Sequence, residues 1–237
     1  MFRDLRTQIL LWTILPLAVI LIGVAYLGVN SHQSAMRDLV EERDGALARV
    51  AAARVSEAIA NRAAILQALD PERPESWQAE RTAFDGGIAS FDTRGNLLNA
   101  LPSREVWEAR RAAMANLFVP QPTFSALLNE SGAVRVIVAI RRGDTALAGT
   151  FTLPPLGNIG MGAHGVAYLV DENGKIIAHP NASRIEENLS RHAGIAEVIR
   201  GESGATFHHA ADGSELVIGY APIPPTGWSL ILSLIHI

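Results

Sequence analysis

The sequence predicts an α+β protein: a transmembrane helix and a long stalk helix, followed by two tandem modules that each contain a five-stranded antiparallel sheet. Three observations carry this prediction. They are an uncharged apolar run near the N-terminus, a stretch rich in helix-forming residues, and an internal repeat with a period of 79 to 81 residues. The chain has 237 residues, 49% of them apolar, which suffices for an anchor and two small packed modules.

The apolar run covers residues 9–29 and contains no charged residue. A helix of this length, at ~1.5 Å per residue, spans a hydrocarbon core of roughly 30 Å. Arg3 and Arg6 precede the run, so residues 1–8 are predicted to be cytoplasmic and residues 30–237 extracytoplasmic. A buried core helix is rarely uncharged over such a length, and a cleaved signal peptide has a shorter apolar region and a cleavage site. The run is therefore predicted to be an uncleaved span of the inner (cytoplasmic) membrane.

Residues 31–69 are rich in Ala, Glu, Arg and Leu and contain no proline, which predicts a helix. Asp70-Pro71 ends this pattern, because proline cannot continue a helix, and the predicted stalk is 30–70. Such a stripe packs against a neighbour, but packing on a sheet module and a coiled coil between two chains would use the same residues. Apolar residues spaced by three, four or seven form one face: Val40, Leu47, Ala51, Val55, Ile59, Leu66 and Leu69.

The sequence after the stalk contains an internal repeat. Residues 88–98, IASFDTRGNLL, and residues 167–177, AYLVDENGKII, both place a short apolar strand on each side of a D-x-x-G turn. Asp92 recurs as Asp171, 79 residues later. Aspartate opens such a turn and glycine accepts a left-handed backbone, so both segments predict β-hairpins.

A second hairpin is predicted around Gly132 and, 81 residues later, around Gly213. Each unit then consists of two strands, a helix and three strands, which predicts a five-stranded antiparallel sheet with helices on one face. The closing strands are predicted at 146–153 and 227–232, and the helical segments at 104–116 and 183–200.

The predicted boundaries are 71–153 for the first, membrane-distal module and 154–232 for the second, membrane-proximal module. Pro154-Pro155-Leu156-Gly157 is the predicted linker between them. Residues 233–237 are predicted to be a truncated or non-native end.

Residues 165–180, GVAYLVDENGKIIAHP, resemble the opening hairpin of the membrane-proximal module in the double Cache (dCache, PAS-like) family. Gly219-Tyr220-Ala221-Pro222 and Gly227-Trp228 resemble the last two strands of that module. With the anchor and the stalk, the resemblance extends over nearly the whole chain. It implies PAS-like five-stranded modules and a role as the extracytoplasmic, for instance periplasmic, sensor domain of a bacterial transmembrane receptor. It also implies a second membrane helix and a cytoplasmic output domain.

The N-terminal stretch most resembles sensor histidine kinases of two-component systems, so the prediction is a ligand-sensing domain whose parent chain is such a kinase. A chemotaxis transducer, a diguanylate cyclase or a PP2C-type phosphatase receptor with the same sensor remains an alternative. A membrane-anchored adhesion or scaffold protein without a small ligand is an alternative from another class. The predicted partners are a small molecule, the membrane and a second copy of the chain in a homodimer.

The composition excludes several function classes. A net charge of −4 leaves no basic stripe for phosphates, so no nucleic-acid partner is predicted. The chain has no cysteine, which excludes disulfides, thiolate zinc sites and cysteine nucleophiles. The patterns G-x-S-x-G and H-E-x-x-H are absent, so no catalytic residue is predicted and these residues are not expected to form an enzyme.

Histidines fall mainly in the second module, and they raise the hypothesis of a metal site, which needs three or four converging ligands. His208 and His209 are adjacent on a predicted strand and point to opposite faces, so they cannot bind one ion together. No metal site and no cofactor are predicted. The histidines concerned are His164, His179, His192, His208 and His209.

Small ligands of such modules bind between the sheet and its covering helix, so the candidate site residues are those expected there in the first module. Guanidinium groups beside an aromatic wall predict a carboxylate-bearing small molecule. Neighbouring helical residues point about 100° apart, so at most one of Arg110 and Arg111 faces the ligand. In the alternative interpretation both arginines coat a solvated helix face and Trp107 belongs to the core. The candidates are Trp107, Arg110, Arg111 and Met114 on the helix, Phe124 and Arg135 on strands, and Asp144 after a strand.

Amino-acid-sensing double Cache domains carry a pattern Tyr…Arg-x-Trp-Tyr…Tyr…Asp. Here Arg104 and Trp107 are spaced R-x-x-W, and the first module contains no tyrosine. The resemblance therefore does not extend to amino-acid recognition by that pattern.

Overall fold

The computed structural model describes residues 5–114, 122–128, 134–153, 165–192, 194–209 and 215–236. The chain divides into two compact units, residues 1–43 and 44–237. Helix α1 is Leu5–Ala68 and ends just before Asp70-Pro71, as predicted. Among the described helices, α1 alone is long and apolar enough by length and composition to cross a membrane.

The first sheet has the strand order β2-β1-β5-β4-β3, and every neighbouring pair is antiparallel. Its helices lie between β2 and β3 in the chain, as the repeat predicts. We call these elements the first module: β1 (Gly87–Asp92), β2 (Leu97–Leu101), α2 (Arg104–Ala109), α3 (Arg111–Met114), β3 (Thr123–Leu128), β4 (Val134–Arg142) and β5 (Thr145–Thr152).

The second sheet repeats this order as β7-β6-β10-β9-β8, again with antiparallel neighbours. The prediction of two tandem five-stranded PAS-like modules is therefore confirmed. The second module comprises β6 (Gly165–Val170), β7 (Ile176–Ala178), α4 (Ile195–Ile199), β8 (Gly204–His209), β9 (Glu215–Ile223) and β10 (Trp228–His236).

The two D-x-x-G turns have the same geometry. Asp92 Oδ1 accepts hydrogen bonds from the amides of Arg94 and Asn96, at 2.8 Å each. Asp171 Oδ1 accepts from Asn173 and Lys175 at 2.9 Å each. The turn glycines, Gly95 and Gly174, have φ values of 76° and 75°, which glycine adopts without strain. Both predicted hairpins are thus present for the predicted reason.

The helix predicted at 183–200 is wrong for most of its length. Among the described residues of this segment, the helical ones are the end of a 3-10 helix at Ala182–Arg184 and the short α4. Between them the backbone instead pairs with the hairpin of β6 and β7: the Ile176 amide donates to Glu187 O at 2.9 Å, and the Leu189 amide donates to Gly174 O at 2.8 Å. Glu186, with φ of 76°, breaks the helical path.

Three other predictions about the elements are only partly testable. The helix predicted at 104–116 is divided into α2 and α3, and its last two residues lie outside the described part of the chain. Gly132, Gly213 and the linker 154–157 also lie outside it. β10 continues to His236, beyond the predicted module end at residue 232. The prediction of a truncated or non-native end stays a prediction.

One apolar core joins the stalk part of α1 to one face of each sheet. It contains Ala51, Val55, Ile59, Leu66 and Leu69 of the predicted stripe. Val40 and Leu47 are half-buried. We call this cluster the stalk core; its sheet residues are Ile88, Val136, Val138, Ile140, Leu147, Phe151, Ala167, Leu169, Ala178, Ala221, Ile223, Trp228, Leu230, Leu232 and Leu234. The amphipathic stripe is thus used within the chain, where it holds both sheets on one helix.

Gly149 of β5 provides a test of how tightly the stalk core is packed. A Cβ at this position would lie 2.4 Å from Cε1 of Phe84, so Gly149→Ala forces a large ring to move. We expect the free energy of unfolding to fall by about 1–3 kcal/mol, measured by denaturant titration. The double variant with Phe84→Leu should lose less than the sum of the two single losses, because the smaller side chain removes the clash. Additive losses would contradict this packing.

Candidate ligand-binding site

The face of the first sheet that points away from the stalk core is covered by α2 and α3. We call it the outer face. Trp107 and Met114 from the helices pack there in a cluster of their own. The sheet residues of that cluster are Ala89, Phe91, Leu97, Ile137, Ala139, Ala146 and Ala148. Apart from Phe91, the positions facing the helices on β1 and β5 are mainly small, which leaves room for Trp107.

Trp107 is completely buried, so it forms part of the core. Its Nε1 donates to Leu101 O at 3.0 Å, and its ring meets Phe91 edge-to-face with centroids 6.2 Å apart. It also supports a charged neighbour, since Cζ of Arg110 lies 5.2 Å from the indole centroid. Trp107 is therefore a positioning residue for Arg110.

Arg110 lies at the end of the outer face, where β5 finishes. Its Nη1 donates to Gly86 O at 2.8 Å and to Thr150 Oγ1 at 3.2 Å. Burial lowers the pKa of Arg110, the charge of Arg135 lowers it further, and Asp85 opposes both. The guanidinium is half-buried and remains charged, because arginine does not lose its proton in proteins.

Arg135 of β4 is paired in register with Thr152, and Thr150 precedes Thr152 by two residues on the same face of β5. The Nε of Arg135 is buried without a hydrogen-bond partner among the described residues. Asp85 binds the same strand end: its Oδ1 accepts from the Thr152 amide at 2.8 Å and its Oδ2 from Thr152 Oγ1 at 2.6 Å. Arg110, Arg135 and Asp85 therefore lie, with Thr150 and Thr152, at one corner of the sheet, which we call the charged corner.

A cavity of about 260 Å³ adjoins this corner. It shares Asp85 with the cluster and extends past Arg81, Phe84, Gly87, Leu101 and Pro102. Its volume is just under the usual lower limit for small-molecule sites of about 300 Å³, which corresponds to a ligand of few atoms.

The structure does not bring every predicted residue to this corner. Arg111 is 54% exposed and forms an ion pair with Glu108 at 3.6 Å, so Arg110 is the arginine that faces the sheet. Phe124 is paired with Val138 and packs against the stalk core, on the opposite face. Asp144 is exposed in the β4–β5 turn, eight residues from Thr152 and so roughly 25 Å along the strand. Met114 is buried under the helices.

The sequence interpretation missed Asp85, Thr150 and Thr152. The two threonines alternate with the buried Phe151, and this polar alternation at the end of an otherwise apolar strand is a usable signal. Asp85 lies in a loop, where no periodicity indicates which strand it will meet.

The second module does not repeat the charged corner. The register position of Arg135 is occupied by Leu216, which pairs with Ile235 where the first module has Thr152. Its outer face is instead filled by a cluster that includes Tyr168 and Tyr220. Burial raises the pKa of Tyr168 to about 12, so the phenol stays protonated.

The histidines of the second module are dispersed. His179 Nδ1 accepts from the Asn181 amide at 2.9 Å, and burial lowers the pKa of His179, which favours the neutral ring. The rings of His192 and His208 are 6.5 Å apart. No group of three potential metal ligands occurs in the described segments, and His164 lies outside them.

No protein-family model and no curated protein sequence matches the chain significantly. Among solved structures, 77 chains match. The ligand-binding domain of the Pseudomonas aeruginosa PAO1 amino-acid chemoreceptor PctB with L-Arg has 19% identity over 80% of this chain and 92% of its own, with a TM-score of 0.55. The corresponding domain of Pseudomonas fluorescens CtaA with L-isoleucine has 17% identity, coverage of 86% and 96%, and a TM-score of 0.61. The ligand-binding domain of Pseudomonas aeruginosa PAO1 PctC with GABA has 18% identity over 80% of this chain and 97% of its own, with a TM-score of 0.53.

These similarities establish the fold. The chain has the double Cache architecture: a long N-terminal helix and two tandem PAS-like modules.

Proposed function

We propose that this chain is the extracytoplasmic ligand-sensing region of a transmembrane receptor and that it binds a carboxylate-bearing small molecule at the charged corner of the first module. The observation that carries the proposal is the placement of Arg110, held over Trp107 with its guanidinium directed at Thr150. A half-buried guanidinium beside a hydroxyl and a second arginine is a chemically specific receptor for a carboxylate.

The similar solved domains support the same ligand chemistry. The molecules bound to PctB, CtaA and PctC are L-Arg, L-isoleucine and GABA, and each has a carboxylate group. The chain lacks the tyrosine-rich pattern of the amino-acid sensors, so we assign only the carboxylate to this site.

Membrane insertion is supported by the first unit. The large apolar side chains between Trp12 and Val29 are exposed, with Trp12 at 81%. An apolar surface of that length is stable in lipid and not in water. We propose a single inner-membrane span at residues 9–29, residues 1–8 in the cytoplasm and residues 30–237 outside, with modules bounded at 71–153 and 154–232.

The stalk part of α1 gives a physical route for a signal. Arg142 Nη1 of the first module donates at 2.9 Å to the carbonyl oxygen of Leu69, the residue that directly follows α1. Ser56 Oγ donates to Pro224 O of the second. A ligand that changes the packing of the first module on this helix therefore shifts the equilibrium between two arrangements of both modules. We propose that a homodimer transmits that shift.

The parent receptor in this proposal is a two-component histidine kinase, because the N-terminal stretch resembles those of sensor kinases. A chemotaxis transducer is the second candidate, which the similarity to chemoreceptor ligand-binding domains supports. Sequence that follows residue 237 in the gene separates the two: a phosphoacceptor histidine motif supports the kinase, and a long methylated coiled coil supports the transducer.

Thermal unfolding of the full chain in detergent micelles tests ligand sensing. A panel of carboxylates, neutral metabolites and amines is added to the purified protein. We expect at least one carboxylate to raise the melting temperature, because a ligand at 100 times its dissociation constant stabilises the folded state by about 2.7 kcal/mol. No shift with any carboxylate would contradict the proposal and favour an adhesion or scaffold protein.

A further inference from the structure

The charged corner contains more positive than negative charge. Arg110 and Arg135 each contribute a guanidinium, and Asp85 contributes the only carboxylate in the cluster described above. The two arginines are close enough for the charge of Arg135 to lower the pKa of Arg110. Two cations held together in a half-buried position repel each other unless an anion lies between them.

The carboxylate of Asp85 is already engaged by Thr152. Both of its oxygens accept hydrogen bonds, one from the amide and one from the hydroxyl. Among the described residues, Asp85 forms no ion pair with either guanidinium. Arg110 uses one nitrogen, Nη1, in its hydrogen bonds to Gly86 O and Thr150 Oγ1. Nε of Arg135 is buried without a hydrogen-bond partner among the described residues. Within the described part of the chain, both side chains therefore keep donors that a ligand can use.

The two arginines lie beside different residues of β5. Arg110 Nη1 contacts Thr150 Oγ1, whereas the backbone of Arg135 is paired with that of Thr152, two residues or ~7 Å further along the strand. A single carboxylate that forms a bidentate pair with one guanidinium directs both of its oxygens at that group. A ligand with one carboxylate would leave the second cation half-buried and uncompensated, which is unfavourable.

We propose that the charged corner binds a short ligand with two carboxylate groups, one at Arg110 and one at Arg135. This inference rests on the proposed function and narrows its ligand class. The adjoining cavity of about 260 Å³ is lined by Asp85 and by neither arginine, so it leaves room beside Asp85 for part of a small ligand. The same chemistry is offered by plain dicarboxylates and by acidic amino acids, whose ammonium group would face Asp85.

Isothermal titration of the full chain in detergent micelles tests the proposal with matched probe pairs. Succinate is compared with butyrate, and L-glutamate with L-norvaline, because each pair differs by one carboxylate at equal chain length. We expect the dicarboxylate of at least one pair to bind about tenfold to hundredfold more tightly, as a charge-assisted pair predicts. Tighter binding of L-glutamate than of succinate assigns the ammonium group to Asp85, and the reverse order assigns the plain dicarboxylate.

Arg135→Gln is the decisive variant. It should weaken dicarboxylate binding by about tenfold or more and bring the dicarboxylate close to its one-carboxylate analogue. Arg141→Gln is the matched control, because Arg141 is exposed on the same face of β4, binds only Gly143 O among the described contacts, and carries the same charge. Equal losses in both variants would indicate a long-range charge effect and would overturn the assignment of Arg135.

The outcomes separate this inference from the proposed function. Binding of butyrate, L-norvaline or another compound with a single carboxylate, without binding of any dicarboxylate, overturns the two-carboxylate ligand and leaves the sensing function standing. No binding by any carboxylate in the wider panel overturns both.

Discussion

Arg110→Gln should weaken ligand binding on the order of 100-fold, whereas Arg111→Gln should leave the dissociation constant within about twofold. The difference follows from where the two adjacent side chains lie. Arg110 is half-buried at the charged corner, and removing one partner of a desolvated charge pair costs about 2–5 kcal/mol. Arg111 is exposed and paired with Glu108, where an ion pair contributes about 0–1 kcal/mol.

The measurement is a titration of both variants with whichever carboxylate raises the melting temperature of the parent protein. Arg110→Lys is the informative intermediate, since it keeps the charge and loses the planar fork, and it should recover only part of the affinity. Circular dichroism and the melting temperature of each ligand-free variant verify folding, because Arg110 also binds Gly86 O. Equal losses for Arg110→Gln and Arg111→Gln would place the ligand elsewhere.

The sequence predicted the strands of both modules because two local signals agree. Each D-x-x-G turn is fixed by an aspartate that accepts its own backbone amides, so the hairpins need no distant contact to be recognised. The repeat then extends the assignment from one module to the other. The buried face of the stalk was equally predictable from sequence, because the apolar residues of a long helix keep the same spacing over many turns.

The predictions that failed depend on contacts that no local pattern encodes. Residues between Arg184 and Ile195 include good helix formers, but their backbone pairs with the β6–β7 hairpin instead. Phe124 lies on a strand between two covered faces, so alternation alone did not indicate which face it would occupy.

The sequence did not indicate which of Arg110 and Arg111 faces the sheet, for a related reason. Arg110 is the C-cap of α2, and α3 begins at Arg111. Helical phase is therefore lost at the position where it would have decided which arginine faces the sheet. Asp85 reaches Thr152 across 67 residues of chain, which only the folded structure reveals.

Trp107→Ala should lower the free energy of unfolding by about 3–5 kcal/mol, measured by denaturant titration of the full chain in detergent micelles. The indole is completely buried, donates to Leu101 O and meets Phe91 edge-to-face, so truncation leaves a cavity and an unpaired carbonyl. Trp77→Ala should cost a similar amount, because Trp77 is equally buried and its Nε1 donates to Asp70 O at 3.0 Å.

The two tryptophans should differ in their effect on the ligand, and this comparison isolates positioning from stability. Trp107→Phe keeps an aromatic core residue but replaces the indole by a smaller ring, which weakens the cation–π contact with Arg110. The dissociation constant of the ligand should therefore rise severalfold. Trp77→Phe changes the stalk core, away from Arg110, and should leave the dissociation constant of the folded protein unchanged. Both variants are titrated well below their melting temperatures, so the folded population is complete in each. Equal affinities for the two variants would mean that Trp107 stabilises the module without orienting its arginine.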